Sequence, residues 1–256
     1  MFDERRHDID ALRSIALFLL IFYHLAVSFT SVAKWILFVP NNKPIDNIWS
    51  LLSIFNIWRI PLLFIIAGIA LRFSYQNRGV GKLFKERFKR LGIPYLFGAV
   101  TFVPLYIIIS AQFIYGDMSL DDNIGVLITS IFTGGHLWFL INILIYCLLF
   151  IPIIGFISNK KRGYKFVDSI LKIRGGVLLF SIPIILEGYL LDLTAYKEDI
   201  GYGNSYSEYY GTDHGLLLGF IWFLIGIVLT SQGDTFWEYN IKNINTHALI
   251  GVPLLI

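Results

Sequence analysis

Apolar residues in this chain gather into long runs separated by polar or charged connectors. The runs cover roughly 10–31, 47–70, 93–114, 136–157, 175–193 and 214–231. About 20 helical residues cross the roughly 30 Å of a bilayer's hydrocarbon core. The pattern therefore predicts an all-α, polytopic membrane bundle of about six transmembrane helices. A further apolar run, 247–256, stops after ten residues, which is too short to span; it predicts the start of a seventh helix. No repeat, low-complexity tract or soluble-domain linker interrupts the series, so residues 1–256 read as one membrane-embedded domain.

The first run carries the clearest polar pattern. Arg13 stands at its entrance and His24 lies eleven positions on. At about 100° per residue, that spacing returns both side chains to one helical face, with His24 about 16 Å further along the axis. Such a stripe is costly against lipid and belongs toward the interior of a bundle. It reads either as a helix-packing polar pair or as functional chemistry.

Composition agrees with the pattern. The chain is 56% hydrophobic and 16% aromatic, with a mean hydropathy of +0.66, too apolar for an ordinary soluble domain. Its net charge of +3 is no nucleic-acid signal, because the basic residues fall by topology. Alternate connectors hold Arg5 and Arg6, then Arg72, Arg78, Lys82, Lys85, Arg87, Lys89 and Arg90, then Lys160, Lys161, Arg162, Lys165, Lys172 and Arg174, then Lys242. The opposite side holds only Lys34, Lys43 and Lys197. The positive-inside rule places the N-terminus in the cytoplasm. With no small-residue cleavage site behind it, the first run reads as a retained span, not a signal peptide. Cys147 is the only cysteine, which excludes a disulfide framework.

Several residues could carry chemistry. The stretch from Arg78 to Arg90 reads as a topology determinant touching anionic headgroups, or as a site for a phosphate-bearing ligand. Arg87 and Arg90, three apart on a helix, could place two guanidinium forks on one polyphosphate. Arg59 lies deep in the second run and needs a partner or a hydrated cavity. Pro61 frees the carbonyl of Ile57 beside it, and Glu187 is a candidate ion-pair partner. His136 follows two glycines at a span entrance and reads more readily as packing than as chemistry. His7, His214 and His247 show no polar constellation nearby, and no metal-ligand spacing, nucleophile elbow or P-loop occurs.

Taken together, these segments resemble the acyltransferase-3 family of integral membrane O-acyltransferases. Asp10-Ala11-Leu12-Arg13 with Tyr23-His24 is similar to its Arg-x10-His signature. Arg59-Ile60-Pro61-Leu62-Leu63-Phe64, running on to Gly68, resembles its second span, with Ala67 where serine is common. Arg87-Phe88-Lys89-Arg90-Leu91-Gly92-Ile93-Pro94 resembles its Arg-x-x-Arg before a proline, and His136-Leu137-Trp138-Phe139-Leu140 its His-Leu-Trp-Phe-Leu segment. Four motifs in order over 8–140 make the resemblance specific. The family domain usually has about ten spans, so the chain reads as C-terminally incomplete.

The resemblance implies transfer of an acyl group, commonly acetyl and sometimes succinyl, from acyl-coenzyme A as co-substrate to a hydroxyl of an envelope or exported carbohydrate, without a metal. It implies a multi-pass protein of the plasma (inner) membrane, with the lipid bilayer and a carbohydrate acceptor as partners and no nucleic acid. His24 becomes the general base, with Arg13 near the thioester or its phosphates. Arg87 and Arg90 bind coenzyme A phosphates, and Arg59 lines the pocket or stabilises the oxyanion. An acyl-histidine step, a transporter or flippase lined by Arg13, His24 and Arg59, and an inactive scaffold remain the alternatives. Whether a partner protein or a second copy supplies further spans stays open.

Overall fold

The computed structural model describes residues 7–251 apart from 32, 37, 46, 77, 118, 134, 158–162 and 195–211. Among the described residues every regular element is helical. Arg5, Arg6, Lys160, Lys161, Arg162, Lys197, most of the Tyr- and Gly-rich stretch 194–213, and the end of the run 247–256 lie outside them.

Helix α1 (His7–Val27) opens with Asp8 and Asp10 in its first turn, where carboxylates complement the positive end of the helix dipole. Only Ala16 and Val27 are buried on it. Leu12, Ile15, Phe18, Ile21, Phe22 and Leu25 all point outward. That much exposed apolar surface suits lipid rather than water. Helix α2 (Ile48–Gln76) runs through Pro61 without a break in its helical path.

Residues 78–90, expected as a connector, are largely helical. Helix α3 (Val80–Arg87) passes through a π turn at Phe88–Gly92 into α4 (Ile93–Val100), and α5 (Phe102–Tyr115) follows. Thr101 interrupts the helical run between α4 and α5, with a φ of −111° and ψ of −71° that leave the helical norm. Two local causes coincide there: the Thr101 hydroxyl donates to the Phe97 carbonyl at 2.6 Å, and Pro104 lacks an amide hydrogen.

The connector between the third and fourth apolar runs is also largely a helix, α6 (Leu120–Thr133), with Asp121 and Asp122 in its first turn. It packs along α5 and α4, and the Tyr95 hydroxyl donates to the Ile131 carbonyl at 2.9 Å. A short 3-10 turn (Gly135–Leu137) then leads into α7 (Trp138–Phe150) and the single turn α8 (Ile154–Ile157). Helix α9 (Gly163–Lys172) buries Val167 and Leu171 and leaves Phe166 outside. After a 3-10 segment (Gly176–Ser181) come α10 (Ile182–Thr194), α11 (Asp213–Thr230), α12 (Asp234–Lys242) and α13 (Ile244–Gly251). Helix α9 packs on α12, joined there by the Tyr239 hydroxyl donating to the Ile173 carbonyl.

Among the described residues four helical stretches are long and apolar enough to cross a membrane: His7–Val27, Trp58–Gln76, Val80–Tyr115 and Asp213–Thr230. The expected fourth and fifth spans correspond to shorter apolar helices, Gly135–Phe150 and Gly176–Leu190. Four spans therefore stand on length and composition where about six were expected.

The centre of the bundle is the α2–α11 pair, the most extensive helix contact. Glycines make it possible. A Cβ on Gly68 would lie 2.1 Å from the Phe223 carbonyl oxygen, and one on Gly226 would lie 2.3 Å from that of Ile65. Small residues that bring backbones this close are how membrane helices gain contact where no water drives them together. Phe64, Tyr146, Phe150 and Phe223 fill the layer beside the crossing, and the Tyr146 hydroxyl donates to the Leu216 carbonyl at 2.6 Å.

Candidate functional site

Two clusters gather at different levels of the bundle, and α1 contributes to both. The first is built around His24. Its Nδ1 lies 2.8 Å from the Leu20 carbonyl oxygen one turn earlier. A carbonyl only accepts, so Nδ1 carries the hydrogen. In the neutral ring that leaves the lone pair on Nε2. The backbone has selected the tautomer that can act as a base through Nε2.

Aromatic rings hold the His24 ring in place. Phe38 stacks on it with centroids 5.7 Å apart and planes 22° apart, and Tyr23 meets it edge-on at 5.6 Å. His136 approaches at 6.1 Å, nearly perpendicular. His136 in turn contacts Tyr106 at 4.5 Å and Phe38 at 5.0 Å. The positive φ of +45° at Gly135 lets the chain turn tightly ahead of His136, and a Cβ there would meet Val103 at 2.5 Å. Read from sequence more readily as packing at a span entrance, His136 lies against the histidine of the first helix. The one available signal was the Gly-Gly-His-Leu-Trp order, which marks a sharp turn but not its neighbour.

Arg59 belongs to the same region. Only 1% of its surface is exposed, and its guanidinium carbon sits 4.2 Å from the centre of the Tyr23 ring. A desolvated guanidinium over an aromatic face is a favourable contact, of order 2 kcal/mol. Through Tyr23, Arg59 of α2 is held one residue away from His24. Glu187, expected as a possible partner of Arg59, goes elsewhere. Its Oε1 is 2.6 Å from Nδ1 of His214, joining α10 to α11. Glu187 is buried and His214 half-buried, and the sequence shows no polar constellation around His214.

The second cluster lies at the end of the bundle that carries α3. Nη2 of Arg87 donates to the Ala70 carbonyl at 3.0 Å and to the Ser74 hydroxyl at 2.6 Å, so this side chain ties α3 to α2. Arg13, Arg78 and Arg90 all lie close enough to Arg87 for their charges to act on it. Arg90 points outward and pairs with Glu86 at 3.0 Å; Arg78 pairs with the other oxygen of the same carboxylate. The structure thus brings Arg13, Arg87 and Arg90 together, adds Arg78, and leaves Arg59 with His24. Among the described residues no group of three or more His, Cys, Asp or Glu could hold a metal ion.

The arrangement offers a ring with a fixed tautomer, a buried cation beside the residue before it, and, at another level of the bundle, an arginine cluster on and around α3 to which α1 adds Arg13. That combination can deprotonate a hydroxyl, stabilise a developing oxyanion and hold a phosphorylated co-substrate. A family model described as an acyltransferase domain matches residues 6–236. No curated protein and no solved structure matches the chain.

Proposed function

The chain belongs to the acyltransferase-3 family and is a membrane acyltransferase; from that premise we propose an O-acyltransferase that moves an acyl group, commonly acetyl, from acyl-coenzyme A to a hydroxyl of an envelope or exported carbohydrate. It works in the plasma membrane as a multi-pass protein with a cytoplasmic N-terminus. The basic end meets the donor in the cytoplasm, and Arg13, Arg87 and Arg90 attract its phosphates.

The observation that carries this reading is the His24 tautomer. With Nδ1–H bonded to Leu20, Nε2 accepts the proton of the acceptor hydroxyl as its oxygen attacks the thioester carbonyl. The carbonyl electron pair moves onto oxygen, and the Arg59 guanidinium stabilises that charge. When the tetrahedral intermediate collapses, the C–S bond breaks and the coenzyme A thiolate takes the proton back from Nε2. The products are the ester and free thiol, with no net proton change.

Purified protein is assayed for thiol release from acetyl-coenzyme A. His24→Ala is expected to lower the rate by about 10²–10⁴-fold, the usual contribution of a positioned general base, while the protein stays monodisperse in detergent. Full activity in that variant would remove His24 from the chemistry. Covalent ester on the acceptor, rather than unchanged labelled substrate moved across a vesicle wall, separates this reading from a transporter.

A further inference from the structure

Glu86 is an oddity at the basic end. It is the one carboxylate between Arg78 and Arg90 in sequence, it is four-fifths buried, and each of its oxygens goes to a different arginine. Arg87 adds a third guanidinium whose Nε is buried without a hydrogen-bond partner among the described residues, and Arg13 acts on it from α1. Two guanidinium groups on one carboxylate, with Arg87 close to both, leave an excess of positive charge, which a second anion or a doubly charged replacement would relieve.

The geometry also sorts these arginines. Arg87 faces α2 and spends Nη2 on Ala70 and Ser74. The π turn at Phe88–Gly92 follows directly. A π turn holds more residues than an α turn, so it displaces Arg90 from the neighbouring position that a spacing of three gives on a regular helix. Arg90 is 69% exposed. Arg78 stands before α3, and its side chain reaches Glu86 from the other flank. The forks that already hold a carboxylate are therefore Arg78, half-buried, and Arg90, exposed.

We propose that Glu86 occupies the place of a ligand phosphate, that Arg78 and Arg90 form the phosphate-contacting pair, and that Arg87 is a positioning residue fixing α3 on α2. A phosphate brings three acceptor oxygens and more charge than a carboxylate. The ligand displaces Glu86 and takes over both forks. The inference rests on the donor reading above and specifies which side chains touch the nucleotide phosphates.

The test uses the full chain in nanodiscs and measures direct binding of coenzyme A and of adenosine 3′,5′-bisphosphate, which has the nucleotide phosphates without the acyl arm. Arg78→Ala is expected to weaken both by at least about ten-fold, the scale of one charged hydrogen bond. Arg78→Lys falls between it and wild type, and Lys165→Ala on α9 changes neither. Glu86→Gln removes the competing charge and is expected to tighten both. Unchanged affinity in Arg78→Ala, or unchanged or weaker binding in Glu86→Gln, overturns the inference. If Arg90→Ala and Arg13→Ala weaken binding while Arg78→Ala does not, the donor site stands and only this assignment fails. If none of the three matters, the donor reading fails with it. Discs of phosphatidylcholine alone and discs containing phosphatidylglycerol separate the two sources of phosphate. Loss of binding only in the anionic discs assigns the site to a lipid headgroup and overturns the donor as its occupant. A thermal melt of each variant keeps unfolding from being read as lost binding.

Discussion

At His24, the Leu20 carbonyl does what a carboxylate does in many histidine-dependent enzymes: it fixes which nitrogen is free. Among the described residues His136 meets its neighbours through ring contacts, so its packing contribution to His24 is shape. His136→Phe is expected to keep thiol release within about ten-fold of wild type because an aromatic ring preserves the edge contacts, whereas His24→Phe abolishes it. The Glu187–His214 pair makes a different prediction. His214→Ala strands a carboxylate whose Oε2 already has no partner among the described residues, and is expected to cost about 3 kcal/mol, read as a lower melting temperature in detergent. Glu187→Gln costs less, since the amide oxygen still accepts from Nδ1. The Arg13–His24 stripe was legible in sequence because it depends only on the helical period. Arg59 over Tyr23, His136 against His24 and Glu187 with His214 were not, because each pair joins different helices, and only packing decides which helices meet.

Among the elements, α6 shows a signal that sequence reading passed over. Ser119 caps it. The Asp122 amide donates to the Ser119 hydroxyl at 3.2 Å, and the Asp122 carboxylate accepts from the Ser119 amide at 3.1 Å and hydroxyl at 2.6 Å. This is a reciprocal capping box in a Ser-x-x-Asp frame, inside the connector between the third and fourth apolar runs. Those two donors hold the Asp122 carboxyl below its ordinary value of 3.8. A depressed carboxylate stabilises the folded helix fully above that ordinary value, and the contribution is lost as pH falls through the lowered native one. Ser119→Ala is expected to return Asp122 toward 3.8 and to speed amide exchange over the first turn of α6, measured by hydrogen exchange. At the α2–α11 crossing the expected effect is larger. Gly226→Leu drives a side chain into the Ile65 carbonyl and is expected to cost at least the roughly 1–3 kcal/mol typical of overpacking, seen as aggregation or an early melt. In the family resemblance Gly68 was only a letter of a motif. The structure shows what it does, which is to admit the Phe223 backbone.

For the whole molecule, composition made the membrane class legible and hydropathy located the four strongest spans. It could not separate a spanning run from a shorter apolar helix packed beside one, because both are equally greasy. Orientation rests on the placement of Lys and Arg, and is checked with cysteine labels. A membrane-impermeant maleimide applied to intact cells is expected to modify Lys43→Cys but not Lys82→Cys until the membrane is opened. The reverse pattern would invert the topology.

The contact between His24 and His136 has a consequence in time. The two histidines are 112 positions apart, and α1 leans chiefly on α2 while the turn carrying His136 rests on α4 and α5. At about 5–20 residues per second of synthesis, roughly 6–22 s pass between the making of one ring and the making of the other. Throughout that interval the nascent chain holds His24 without the His136 ring that flanks it. The ring surroundings of His24 are therefore complete only when the fourth apolar segment arrives.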